Sequence, residues 1–224
     1  MYLKFGKGNN KLAKDIYTFS LPAGYSCPFA KDCLSKANLK SGKITDGKNI
    51  KFRCYSTSTE SLYTNVRNSR WYNFKLVRNK TKNKLVKLIL MSLPLKAKII
   101  RIGVSGDFFS QDYFDSWLTV SRQRKNILFY AYTKAIPFWI KRLKYIPENF
   151  VLTASKGGTH DHLIDKYSLN FAQVVFSEKE AEDLGLELDF DDSHAINGKS
   201  FGLLVHGTQP KLVNQRIKLG LINV

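Results

Sequence analysis

The sequence predicts an α/β protein built on parallel strands, and three observations carry that reading. Short runs rich in β-branched and aromatic residues recur between residues 99 and 205, amphipathic stretches separate them, and polar or reactive groups fall where the runs end. Six or seven strands in this order point to an incomplete or distorted parallel β/α barrel, with an open doubly wound sheet as the alternative.

Taken in order, residues 99–105 (Ile-Ile-Arg-Ile-Gly-Val-Ser) read as a strand that ends in Gly106 and Asp107. Ser110 then stands as a helix N-cap before Tyr113, Trp117 and Val120 at helical spacing. Residues 127–133 form the next run, followed by Lys134, Pro137 and an amphipathic stretch. A third strand falls at 150–154, a fourth at 172–176 and a fifth at 201–205. Ser177 and Glu180 make a capping box, and Gly185 marks where that helix stops. Upstream, 16–21 and 50–54 are further strand candidates, and 61–91 reads as helical with a break near 79–83. The whole chain, 1–224, reads as one domain.

Composition narrows the class. Hydrophobic residues make up 43% of the chain and charged residues 24%, which fits a packed domain and not a disordered one. The apolar run at 85–95 is broken by Lys87 and Pro94, short of the ~18 residues a membrane helix needs. No signal peptide is evident at the N-terminus, so a cytoplasmic protein with reduced thiols is expected. The net charge is +18, and all of the excess lies in residues 1–101, with 22 Lys or Arg against 4 Asp or Glu. Residues 102–224 balance at 14 against 14. Such a field favours anionic partners, an anionic substrate or nucleic acid.

The basic segment also holds every cysteine. Cys27 and Cys33 sit in a turn-rich loop (Ser-Cys-Pro-Phe-Ala-Lys-Asp-Cys), and Cys54 follows Lys51-Phe-Arg. Lys31, Lys36 and Arg53 nearby are expected to favour thiolates, and soft thiolate ligands select iron–sulfur or zinc. The five-residue gap between Cys27 and Cys33 is wide for zinc, and no His lies within a hundred residues of Cys54. The expectation is a 4Fe-4S cluster on Cys27, Cys33 and Cys54 with one iron open, and His206, His160, Asp107 and His194 as candidate distant ligands.

Several stretches resemble the phage gene product 88 family. They are Leu21-Pro-Ala-Gly-Tyr-Ser-Cys-Pro, Phe52-Arg-Cys-Tyr-Ser, Arg70-Trp-Tyr-Asn-Phe, the long run from Arg101 to Trp117, Phe129-Tyr-Ala-Tyr-Thr-Lys and His206-Gly-Thr-Gln-Pro. The resemblance implies a phage gene expressed in the bacterial cytoplasm and supplies no reaction. A second resemblance, to the radical S-adenosylmethionine enzymes, rests on an early cysteine loop and a partial barrel. It implies S-adenosylmethionine as a cofactor. Cys54 lies far downstream of the short loop that holds all three cysteines in that superfamily.

The strand ends supply the remaining candidates, because the functional mouth of parallel β/α folds lies there. Ser105, Ser155, Gly157 and Gly158 are expected to contact a cofactor, with the two glycines cradling a phosphate. Asp107, Lys134 and His206 are the candidate catalytic groups, Lys134 as an anion partner or reactive amine. Asp189, Asp191, Asp192 and His194 resemble a hard-cation or nuclease site. Arg67, Arg70, Trp71, Tyr72 and Phe74 interleave cations with aromatics, as single-stranded nucleic-acid surfaces do, although helical spacing suggests packed aromatics and solvated cations. The sequence thus predicts an iron–sulfur protein with a reactive mouth, or alternatively a nucleic-acid-binding protein or nuclease.

Overall fold

All five strands expected between residues 99 and 205 form in the computed structural model, which describes residues 1–8, 12 and 15–219. They are β5 (Ile99–Ile102), β6 (Leu128–Thr133), β7 (Phe150–Ser155), β8 (Phe171–Val175) and β9 (Phe201–Leu204). Before them come β1 (Gly6–Lys7) and β2 (Ile16–Phe19), and the seven pair in the order β1-β2-β5-β6-β7-β8-β9. β1 runs antiparallel to β2, and every other pairing in this sheet is parallel. A separate hairpin joins β3 (Ser35–Ala37) to β4 (Ile44–Asp46).

The protein is therefore a mixed α/β fold on a mostly parallel seven-stranded sheet. The expected barrel does not close: among the described residues β1 and β9 remain edges. The strand order also lacks the reversal that marks a doubly wound sheet.

Side-chain alternation gives the sheet two faces. Phe19, Ile100, Ile102, Phe129 and Leu152 turn toward one core, packed with Trp117 and Phe114 of α4 (Gln111–Gln123). Ile16, Tyr130 and Phe201 turn the other way, where Ala195 of the short α8 (Ser193–Ile196) covers them. Ser110 caps α4 as expected, its hydroxyl accepting from the Tyr113 N–H at 3.2 Å. Ser177 caps α7 (Glu178–Asp183), and Gly185 after it takes a positive φ of 64°.

The helical region divides into α1 (Tyr55–Leu62), α2 (Thr64–Val77) and α3 (Lys82–Ser92), with the expected break between the last two. The strand expected at 50–54 does not form. The N–H groups of Lys51 and Phe52 both donate to the Asp32 carbonyl, at 2.7 and 3.2 Å, so they are lost to any ladder. Cys54 becomes the N-cap residue of α1 instead. The remaining helices are α5 (Ile136–Ile140), α6 (His162–Lys166) and α9 (Lys211–Leu219). Among the described residues no helix is long and apolar enough to cross a membrane.

Candidate functional site

The carboxyl ends of the parallel strands open into a cavity of about 950 Å³. Loops from the first quarter of the chain roof it, held by backbone hydrogen bonds. Leu21 donates to the Ser105 carbonyl at 2.9 Å, and Lys31 and Asp32 both donate to the Gly157 carbonyl. Thr159 returns a bond to Phe29, and Ala30 bridges to Gly158. Asp32 in turn receives Lys51 and Phe52, as described above, which brings Cys54 back toward Cys33. Ser35 ties the two together: its hydroxyl donates to the Cys33 carbonyl at 3.2 Å and accepts from the Cys54 N–H at 3.3 Å.

Two glycines make this junction. Gly106 has φ of 78°, and a Cβ there would stand 2.4 Å from the Ser26 hydroxyl, so only glycine lets the loop after β5 pass beneath the cysteine loop. Gly157 has φ of 94°. Its N–H and that of Gly158 donate to the Asp161 carboxylate at 2.7 and 2.9 Å. The backbone donors expected to cradle a phosphate thus hold this internal carboxylate, and the loop serves to strap down residues 27–33.

Cys27, Cys33 and Cys54 all line the cavity. Their chemistry differs from the expectation. Burial pushes the Cys27 thiol well up, with the nearby Asp107 and the other two cysteines adding to the shift. Cys33 is pushed up to about 11, again chiefly by burial, with the Lys134 charge opposing. Two of the three cations assigned to them are committed elsewhere: Arg53 pairs with Asp46, and Lys36 lies over the Tyr25 ring at 5.3 Å. The Cys27 sulfur accepts from the Gly24 N–H at 3.3 Å. Among the described residues no three His, Cys, Asp or Glu side chains stand where they could hold a metal ion. That finding overturns the iron–sulfur reading of this chain, and with it the hard-cation reading of Asp189, Asp191, Asp192 and His194.

A pH dependence follows for the thiol. The unfolded chain releases a cysteine proton near 9.0, whereas folded Cys33 holds its proton to about 11. Stability contributed by Cys33 is therefore complete below 9 and is lost as pH rises toward 11. Chemical denaturation across that interval should show a steeper loss in the native protein than in Cys33→Ser.

Ser105, Asp107, Lys134, Ser155 and His206 line the same cavity. Asp107, after β5, accepts from the Thr133 hydroxyl at 2.6 Å and the Lys134 N–H at 2.8 Å. Burial nevertheless raises its pKa above the ordinary carboxylate value. Lys134, after β6, gives its ammonium to three oxygens where β7 ends: the Ser155 carbonyl and hydroxyl and the Lys156 carbonyl. Ser105 donates its hydroxyl to Glu60 at 3.1 Å. His206 lines the cavity with its ring 4.5 Å from that of Tyr55. His160 packs against Phe29, and His194 lies between Glu187 and Asp189, whose hydrogen bonds raise its pKa.

Two site residues were not singled out as such by the sequence. Arg101 sits on the face of β5 opposite the main core, and its guanidinium pairs with Asp192 and lies 4.5 Å over the Tyr132 ring. It lines the cavity, and its Nε–H is buried without a partner among the described residues. A charged residue inside Ile99-Ile100-Arg101-Ile102 was the available signal. Glu60 is the second, fully buried beneath the cavity, where one carboxylate oxygen accepts from the Ala23 N–H, the Ser105 hydroxyl and Arg70. Arg67 and Arg70 are themselves buried, and not solvated as the helical spacing suggested. Arg67 donates to the Leu39 and Glu60 carbonyls, which fixes the hairpin loop against α1.

An open, mostly parallel α/β sheet with a cationic cavity at its strand ends defines the structural class. The model of the gene product 88 family matches residues 3–222, and the chain belongs to that family. Curated relatives are the gene 88 proteins of Mycobacterium phage D29 and Mycobacterium phage L5, each 27% identical over 144 residues. The match covers 59% of this chain and 53% and 54% of theirs, so the chain spans about half the length of these relatives. No solved structure matches. The resemblance to radical S-adenosylmethionine enzymes gains no support from these comparisons.

Proposed function

We propose that this protein binds an anionic organic ligand of about nucleotide size in the cavity at the strand ends. The observation that carries the reading is the charge balance of the lining. Lys4, Arg53, Arg70, Arg101 and Lys134 line the cavity, and Asp107 is the one carboxylate among its described lining residues. Arg53, Arg70 and Arg101 are each paired with a carboxylate set behind the lining, Asp46, Glu60 and Asp192, and Lys4 and Lys134 stand against Asp107, which leaves a positive excess and several N–H donors for an anion. Arg101 adds direction, because its unpartnered Nε–H is a buried donor that a ligand oxygen would satisfy. The first residues of α1, Tyr55 and Ser56, also line the cavity, and Cys54 makes no side-chain cap there, so the helix N-terminus favours the same charge.

The rest of the lining suits an organic body more than a bare ion. Phe5, Phe52, Tyr132, Val174 and Leu203 supply apolar and aromatic faces, and the volume lies within the range of small-molecule sites. On this reading Ser105, Ser155, Lys134 and His206 are ligand contacts, and the ligand is met in the cytoplasm of the infected bacterium.

Thermal unfolding with added adenosine 5′-monophosphate, inorganic pyrophosphate or neutral adenosine tests this. Binding stabilises by about 2.7 kcal/mol at a hundredfold excess over Kd. The two anions should raise the midpoint at low salt, less so at moderate salt, and adenosine should act weakly or not at all. No shift with any anion at millimolar concentration, or equal shifts with adenosine and its monophosphate, would reject the reading. A single-stranded oligonucleotide that binds while both small anions fail would move recognition from the cavity to the basic surface of residues 1–101.

A further inference from the structure

The geometry points to Ser155 and Lys134 as a nucleophile–base pair that transfers the acyl group of an anionic ester to water. This rests on the proposed anion cavity, which would hold the substrate's charged part beside the pair. Lys134 Nζ lies 2.6 Å from Ser155 Oγ, and both residues line the cavity. Lys134 as a whole is 8% exposed, and the two other partners of its amine are carbonyls: Ser155 at 3.1 Å and Lys156 at 2.8 Å.

The three oxygens take the three N–H donors of the ammonium, and once the amine is free the hydroxyl can instead donate to its lone pair. A free amine has two N–H donors and one lone pair, and the two carbonyls can only accept. The third partner is a hydroxyl, which can donate its proton to the lone pair. The same three contacts accommodate the ammonium once the proton has crossed, so the transfer needs no rearrangement.

The surroundings hold the pair in place. Thr133 pairs with Ala154 across the sheet, so Lys134 and Ser155 are the next residues of adjacent strands at the mouth. Asp107 fixes the Lys134 backbone through its N–H at 2.8 Å, and it takes the Thr133 hydroxyl at 2.6 Å. Such a pair is one of the recurring forms of serine nucleophile and base.

The chemistry balances without any group beyond substrate and water. Ser155 Oγ forms a bond to the ester carbonyl carbon as its proton passes to Lys134 Nζ. The tetrahedral adduct collapses, the bond to the leaving alcohol breaks, and Nζ returns the proton to that alcohol. Water then attacks the acyl-serine and gives a proton to Nζ. The C–Oγ bond breaks, Oγ recovers the proton, and the carboxylic acid departs.

A neutral alkyl fluorophosphonate tests the pair apart from the anion reading, because serine Oγ displaces fluoride and keeps the phosphonyl group. Peptide mass spectrometry of the treated native protein should find the adduct on Ser155. Lys134→Arg keeps a cation for the carbonyls but removes the base, and it should label about a hundredfold or more slowly at an unchanged unfolding midpoint. No adduct on Ser155 in the native protein would overturn the proposal, as would equal labelling of folded Lys134→Arg. Adenosine 5′-monophosphate added as protectant separates the two readings. Labelling without protection removes the anion cavity and leaves the pair standing, while nucleotide binding without labelling does the reverse.

Discussion

Replacing Glu60 with alanine should lower stability by about 3–5 kcal/mol, the usual cost of stranding one partner of a buried ion pair. Glu60 is completely buried and Arg70, 2.9 Å away, has a side chain 9% exposed. One carboxylate oxygen receives the Arg70 guanidinium, the Ala23 N–H and the Ser105 hydroxyl together. Its loss orphans three donors and leaves a cation inside. For a chain of this length each kcal/mol moves the midpoint by roughly 2–4 °C, so a fall on the order of 10 °C is expected by calorimetry. Glu60→Gln keeps an acceptor for all three donors and should lose less. Equal losses in the two variants would show that the charge carries the stabilisation and that the three hydrogen bonds add nothing to it.

Arg101→Met should cost a similar amount, about 3–5 kcal/mol, for the mirror reason. Asp192 is fully buried, and the Tyr130 hydroxyl donates to the same oxygen that Arg101 holds. Removing the guanidinium takes away a cation paired with that carboxylate and the stacking on Tyr132. Arg101→Lys keeps a charge for Asp192 but has no planar fork, so it should retain most of the stability while losing the spare donor in the cavity. The two substitutions therefore separate what Arg101 does for the fold from what it does for a ligand. Unfolding midpoints read the first and titrations read the second.

Much of the sheet was legible because β5 to β9 are runs rich in apolar, β-branched and aromatic residues, interrupted only by single groups such as Arg101 and Gln173 and bounded by glycine and polar residues. The segment at 50–54 misled because Phe52 and Cys54 look β-like, while what decides its conformation is one distant carbonyl, that of Asp32. Glu60 was hidden for a related reason. It lies in Ser-Thr-Ser-Thr-Glu-Ser, which reads as an exposed polar turn, and only the fold reveals that Arg70 and two loop donors converge on it. The cysteines show the limit most clearly. Their clustering in the first quarter of the chain was visible, and it does correspond to one cavity. Burial, which the sequence does not display, keeps Cys27 and Cys33 protonated where neighbouring lysines suggested thiolates.

The central claim is that the cationic cavity takes an anion, and calorimetric titration of adenosine 5′-monophosphate into native protein and Arg101→Lys tests it most directly. The account predicts one site per chain in the native protein, affinity that falls as salt rises, and a weakening of tenfold or more in the variant, about 1.4 kcal/mol or more. No heat of binding to the native protein, or identical affinity in the two proteins, would contradict it.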